Sequence, residues 1–400
     1  MSLDTTKLES VLEKGEGVLR LLPTWVPRTF CIPGRRMKLH PDDYYGFGAH
    51  RGGIVERWFS STVKADNGPP TLEDEGLSYI ALDDGPKQDK ILLKDAIGLL
   101  GDRILGKEVM EKHGEWTMFA KFFDNMEPLP HHLHQNDESA ARVGRKGKPE
   151  GYYFPRQLNN HAAYFPYTFF GLNQGTRKQD VKRCLENWDK GDNGILYLSY
   201  AYKLKLGTGW NVPAGVLHAP GTYLTYEPQR ASDVFAMFQS LVWEKPLGWD
   251  MVVKDVPEEY KHDLDYIADL IDWDLNLDPN FYANRFLEPK PVKPVAEMKD
   301  QGYEDYWVVY NSEYFGSKEL TVHPGREVRI KDSDAYGLIM MEGHGKLGPM
   351  TIESPSVIRF GQATRDELFV TVNAAKEGVV IKNESEVENL VMLKHFGPEA

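Results

Sequence analysis

The sequence predicts an all-β-dominated protein: two double-stranded β-helix (jelly-roll) barrels, the first carrying a helical insertion. Three observations carry this expectation. Short apolar runs alternate with Gly, Pro and Asp clusters through residues 1–110 and again after Tyr303, as short strands joined by turns require. Residues 128–138 read Pro-Leu-Pro-His-His-Leu-His-Gln-Asn-Asp-Glu. On a strand, His132 and His134 project to one face while His131 and Leu133 project to the other. Residues 209–219 read Gly-Trp-Asn-Val-Pro-Ala-Gly-Val-Leu-His-Ala, where a Pro-x-Gly turn sets His218 at the start of an apolar stretch. Imidazoles gathered in one cavity, with carboxylates close behind, begin a divalent metal site.

Taken in order, residues 1–110 read as mixed strands and loops, with a helix near Leu92–Leu100. Residues 111–255 carry both histidine motifs, so a metal-binding domain is expected over 1–255. Between the motifs a helix should start at Thr176. Thr176 and Gln179 have capping-box spacing, Val181, Cys184, Leu185 and Trp188 share a face, and Gly191 closes the segment. That face should cover one end of the barrel, with Cys184 a core residue. A second helix is expected near Pro257, with Tyr260, Leu264, Ile267, Ala268 and Ile271 on one side. Residues 274–298, rich in Pro, Asn and Asp, read as a surface linker, which makes 256–300 a helix and linker. Further strands are expected at Tyr336–Met341, Ser356–Phe360, Leu368–Val372 and Gly378–Ile381, with a turn through Gly343–Gly345. Residues 301–400 hold only His323, His344 and His395, none in a His-x-His pair, and read as a second jelly roll without metal.

Composition narrows the function. A chain of 400 residues that is 41% hydrophobic and 12% aromatic can bury a large core. A formal net charge of −13 argues against nucleic acid or an anionic membrane as partner, since both need a basic face. An anionic small molecule stays open, because it needs only a local cluster of Arg and Lys. Cys31 and Cys184 are too few for a disulfide framework. The stretch Met-Ser-Leu-Asp-Thr-Thr-Lys-Leu-Glu-Ser lacks the apolar core of a signal peptide, and nowhere do 18 apolar residues run together. A soluble cytoplasmic protein is expected.

Five blocks, in order along the chain, resemble the phosphomannose isomerases, a family of metal-dependent bicupins. They are Gly53–Ser60 (Gly-Ile-Val-Glu-Arg-Trp-Phe-Ser), Lys121–Leu129, Gly147–Glu150 (Gly-Lys-Pro-Glu), Val212–Ala219 and Glu227–Asp233 (Glu-Pro-Gln-Arg-Ala-Ser-Asp). The resemblance implies a cupin barrel, one divalent metal ion, with zinc first and manganese, iron or nickel also suited, and a sugar or sugar phosphate as small-molecule partner. It implies His132, His134, Glu150 and His218 as metal ligands. Glu138, four residues after His134, also fits the generic spacing of His-x-His followed by Glu, so both carboxylates stay open. Two departures matter. The family usually has Gln where this chain has His132, and an Arg assisting catalysis where this chain has Met237; Arg230 or Arg177 are the candidates to replace it.

Moving a proton between adjacent carbons requires a base within hydrogen-bond reach and stabilisation of an enediolate. By resemblance Lys148 is the first base and Asp233 the second, and an ammonium beside a metal centre is pushed towards its neutral form. Arg57, Ser60, Glu227 and Arg230 are the expected substrate-binding residues, with Arg51 and Ser61 beside them on the rim of the sugar site. An Arg pair with hydroxyls would hold a phosphate. Tyr152, Tyr153 and Trp210 are candidates for stacking on a sugar ring. The expected activity is aldose–ketose isomerisation, with mannose 6-phosphate and fructose 6-phosphate the implied pair. A cupin dioxygenase or decarboxylase using three His and one Glu, and a non-catalytic sugar-binding bicupin, are the alternatives.

Overall fold

The computed structural model describes residues 5–83, 89–159 and 165–400. The first four residues of the N-terminal stretch read above, and residues 84–88 of the strand-and-loop segment, lie outside the described residues. The predicted apolar runs pair into four main sheets, and every ladder between described strands is antiparallel. A five-stranded sheet runs Tyr200–Lys203, Tyr167–Phe170, His218–Ala219, His132–Leu133, Ala236–Met237. A seven-stranded sheet runs Phe286–Leu287, Gly209–Val212, Glu150–Tyr153, Thr225–Arg230, Met118–Phe123, Gly53–Phe59, Thr24–Arg28. A nine-stranded sheet has Leu390–Phe396 and Tyr336–Glu342 at its centre, and a four-stranded sheet joins Glu327–Ile330, Val379–Asn383, His344–Leu347 and Met350–Glu353.

Shared cores order these sheets into layers. Phe123, Tyr152 and Trp210 of the seven-stranded sheet pack with Phe170 of the five-stranded sheet. Phe122 and Tyr226, on the opposite face of the seven-stranded sheet, pack with Leu19, Phe369 and Leu393 of the nine-stranded sheet. Leu320, Leu338 and Met392, on the far face of the nine-stranded sheet, pack with Val328, Leu347 and Ile381 of the four-stranded sheet. The two large sheets therefore lie back to back, each with a smaller sheet outside it. Strands of the central layers are buried on both faces: every residue of Gly53–Phe59 is buried.

The insertion adds an outer layer. The helix spans Lys178–Glu186, and Val181, Cys184, Leu185 and Trp188 pack with Leu133, Leu217 and Ala236 of the five-stranded sheet. It covers the outer face of that sheet and not a barrel end. The cap forms one residue later than expected, because the Asp180 carboxylate accepts the Arg177 N–H at 2.9 Å. A carboxylate at a helix start is favoured over the amide of Gln179.

Three other expectations change. The helix near Pro257 is broken into a 3-10 turn at Glu258–Tyr260 and short helices at Leu264–Ala268 and Trp273–Asn276. Asp263 and Asp272 each accept backbone N–H groups and restart the helix, as aspartate does against a continuous ladder. Residues 274–298 are not a surface linker: Phe286–Leu287 pairs with Gly209–Val212, and Lys290–Pro291 with Tyr303–Val309, covering open sheet edges. Residues 356–360 form no ladder; Ile358 alone bridges Leu39, and Asp43 binds Arg359 and the Phe360 N–H. Across the expected divisions at 255 and 301, Val18–Leu22 pairs with Glu367–Val370. No described helix is long and apolar enough to cross a membrane.

Between the large sheets, His395 Nδ1 lies 2.9 Å from Tyr226 Oη, while its Nε2 has no hydrogen-bond partner among the described residues. Burial pushes this imidazole down to about 3. Between about pH 6.5 and 3 the unfolded chain therefore binds a proton that the folded one refuses, so stability is lost as pH drops through that window. One proton corresponds to ~1.4 kcal/mol per pH unit. Chemical unfolding of His395→Gln should show a shallower loss between pH 6.5 and 4.5 than the wild type. Equal slopes would remove His395 from the acid sensitivity.

Candidate metal centre

The five-stranded sheet sets His218 directly opposite His132, and the extended chain after Leu133 brings His134 to the same side. The Pro-x-Gly turn locks the two motifs together: Gly215 donates its N–H to the His134 carbonyl at 2.7 Å. Gly215 has φ +81, and a Cβ there would meet Asp272, so a side chain is excluded twice over. The three ring centroids lie 4.1, 5.1 and 5.2 Å apart. One ligand atom from each lies within 4.8 Å of the others.

The backbone fixes which nitrogen each ring presents. Nδ1 of His132, His134 and His218 lies 2.6, 2.7 and 2.8 Å from the carbonyls of Pro130, Val234 and Val216. A carbonyl accepts only, so each Nδ1 carries the proton and each Nε2 turns a lone pair inward. Burial, then the Lys148 ammonium, pushes His134 down to about 4; burial and the neighbouring imidazoles hold His132 well below its ordinary value. Glu150, wholly buried, brings Oε2 to 2.9 Å from His134 Nε2 and Oε1 to 3.1 Å from His218 Nε2. Burial alone would raise this carboxyl, but Lys148 and His134 outweigh it and hold Glu150 well below the usual range. The oxygens of an ionised carboxylate face the inward Nε2 atoms, an arrangement that a cation between them makes favourable. The donor set of three Nε2 atoms and one carboxylate therefore fits a divalent metal.

Around this cluster the cavity is strongly charged. Lys148 Nζ lies 3.0 Å from Glu150, 3.1 Å from His134 Nε2 and 3.5 Å from Glu227. The Arg28 guanidinium forks onto Glu56, with both contacts at 3.1 Å, and reaches Asp233 at 3.3 Å. Burial would raise Asp233, but Arg28 and Lys254 win and hold it ionised, well below the usual range. Burial and the Glu150 charge push Glu227 the other way, up to about 8. Tyr152 donates its hydroxyl to Glu150.

Several expected residues lie elsewhere. Arg57 faces the nine-stranded sheet, where it pairs with Asp366 at 2.7 and 2.8 Å; Glu56, its neighbour, faces the cavity. Ser60 is buried with its N–H on Glu367, Arg51 pairs with Glu75, and the Ser61 N–H is bound by Ser78. Arg230 pairs with Asp137 under Tyr314, outside the cavity. Arg177 is exposed at its helix start. Neither Arg230 nor Arg177 stands near Met237, which does line the cavity. Glu138 is 80% exposed and pairs with Arg142, so Glu150 is the carboxylate at the imidazoles. Tyr152, Tyr153 and Trp210 are all buried; Tyr153 faces the nine-stranded sheet and binds Glu319. Sequence reasoning missed Arg28, Glu56 and Lys121. The alternation along Gly53–Phe59 held a signal, because Glu56 shares a face with Trp58, whose indole N–H it accepts at 2.7 Å.

No family model matches the sequence, and no curated protein matches it. Solved structures do match in fold. The chain is similar to the mannose 6-phosphate isomerase of Bacillus subtilis, at 16% identity over 95% of this chain and 99% of that one, with a TM-score of 0.59. A single-residue variant of the phosphomannose isomerase of Salmonella typhimurium is 13% identical over 94% and 99%, with a TM-score of 0.58. A zinc-bound mannose 6-phosphate isomerase is 13% identical over the same shares, with a TM-score of 0.60. At these identities the likeness shows a common fold.

Proposed function

We propose that the protein is a metal-dependent aldose–ketose isomerase of bicupin type, acting on a sugar or sugar phosphate. The observation that carries this reading is the contact of Lys148 Nζ with both Glu150 and His134, which sets a proton-carrying group against the metal-binding cluster. The similar structures bear the names of mannose 6-phosphate and phosphomannose isomerases, so the mannose and fructose skeletons are the first to test. His132, His134, Glu150 and His218 would hold the ion, zinc before manganese, iron or nickel. When bound, the ion supplies Lewis acidity to neighbouring substrate oxygens. Lys148 moves the proton between the adjacent carbons at Nζ. Asp233, ionised and forked by Arg28, positions that guanidinium and does not itself carry the proton. Glu227, bearing its proton near neutral pH, offers a donor to a substrate oxygen. A cytoplasmic setting belongs to the same proposal, in keeping with two free cysteines.

The charged wall speaks against the dioxygenase reading, which calls for an apolar, oxygen-accessible pocket. Met237 favours a second reading, sugar binding without turnover, because it stands where the resembled family carries its catalytic Arg. Incubating the metal-loaded protein in deuterated water with aldoses and their phosphates separates the two. Ketose should form, with deuterium entering beside the carbonyl unless the transferred proton is fully shielded. No turnover of any hexose, pentose or phosphate ester would sink the isomerase.

A further inference from the structure

The cavity wall holds three cations, and carboxylates already engage each of them. Arg28 is forked between Glu56 at 3.1 Å and Asp233 at 3.3 Å. Lys121 lies 3.2 Å from Glu227 and 3.7 Å from Glu56, and Lys148 lies 3.0 Å from Glu150. A phosphate is held by several N–H or O–H donors directed at it together. Turning Arg28 or Lys148 towards one would strand the ionised Asp233 or Glu150, which is strongly unfavourable, and Lys121 shares the ionised Glu56 with Arg28. Apart from the histidines and Tyr152, the rest of the wall among the described residues is Phe30, Leu129, Pro130, Phe235 and Met237, with no Ser, Thr or further cation among those described lining residues. The arginine and serine of strand Gly53–Phe59 and its end, Arg57 and Ser60, are turned away into the interface of the large sheets. The groove that shares Phe30 with the cavity carries a half-exposed Trp243 and is lined by Glu127 as well as Lys245.

We infer that the substrate is an uncharged aldose and not its phosphate ester, an inference that rests on the isomerase reading of this site. Hydroxyl groups of a neutral sugar donate to carboxylates without detaching the cations, and the apolar faces of the ring meet the apolar part of the wall.

The metal-loaded wild type tests this in two ways. Turnover of mannose and fructose is compared with that of their 6-phosphates by proton NMR. Binding of mannitol, which cannot isomerise, is compared with that of its phosphate ester by calorimetry. The neutral compounds should lead in both, by ~10⁴-fold in kcat/KM, the discrimination expected where buried polar groups are left unpaired. Faster turnover or tighter binding of the phosphates would overturn the inference and leave the isomerase standing. Preferential binding of the neutral alditol with no turnover of any sugar would remove the isomerase and keep the ligand class. No binding of either alditol and no turnover of either sugar would overturn both.

Discussion

His134→Ala should purify folded but with its divalent metal reduced to a small fraction of the wild-type stoichiometry. Removing even an outer partner of a metal ligand costs 10–100-fold in affinity, and His134 contributes an inward-facing Nε2 of its own. The fold should survive, because Glu150 keeps its ion pair with Lys148 at 3.0 Å and still accepts the Tyr152 hydroxyl. What is lost is ligand stabilisation, worth ~4 kcal/mol at a free metal concentration of a thousand times Kd. Circular dichroism should match the wild type while the thermal midpoint in saturating metal falls. Glu138→Gln serves as the control, since its carboxylate is exposed and pairs with Arg142 away from the imidazoles. Near-stoichiometric metal in both His134→Ala and wild type would remove the site.

Lys148→Met should keep its metal and lose turnover by ~10²–10⁴-fold, the contribution of a positioned general base. Methionine retains the unbranched stem of lysine and fills the same buried volume, so packing of the segment leading into Glu150–Tyr153 is preserved. The terminal amino group is the sole part removed. Metal analysis and single-turnover NMR on the same preparation separate the two effects. An unchanged rate rules out Lys148, and a lost metal shows that its role is to balance the Glu150 charge.

The histidine cluster was legible because two short-range rules place it. A period of two fixes His132 and His134 on one side, and a Pro-x-Gly turn fixes where the chain re-enters at His218. The choice between Glu138 and Glu150 was not fixed by spacing, which favours Glu138, and only the resemblance of Gly147–Glu150 pointed to Glu150. Gly144 at φ +71 reverses the chain between them, and the Asp137–Ala141 helix points Glu138 to solvent. Arg57 was placed on the wrong face for a different reason. In Gly53–Phe59 both faces are buried, so hydrophobic alternation carries no information about which one lines the cavity. Arg28 had no local signature at all: its partner Asp233 is 205 residues away, and only tertiary pairing reveals it. Likewise the surface-linker reading of 274–298 followed composition, whereas sheet edges elsewhere in the chain recruit those residues as strands.

The strand Val18–Leu22 sits between Glu367–Val370 and Tyr79–Ala81 in the nine-stranded sheet. A ribosome therefore releases this strand long before its main neighbour has been translated. Until then its apolar residues Val18, Leu19 and Leu21 have no ladder to join on that side, and the emerging chain must hold them exposed or in temporary contacts. Loop closure across nearly the whole polypeptide makes such a topology slow to complete. A nascent fragment ending before residue 367 would carry a naked edge and an uncovered apolar face, the surface on which chaperones act. Assembly is thus gated by residues 367–396, whose strands must pair before the sheet behind that cavity can close.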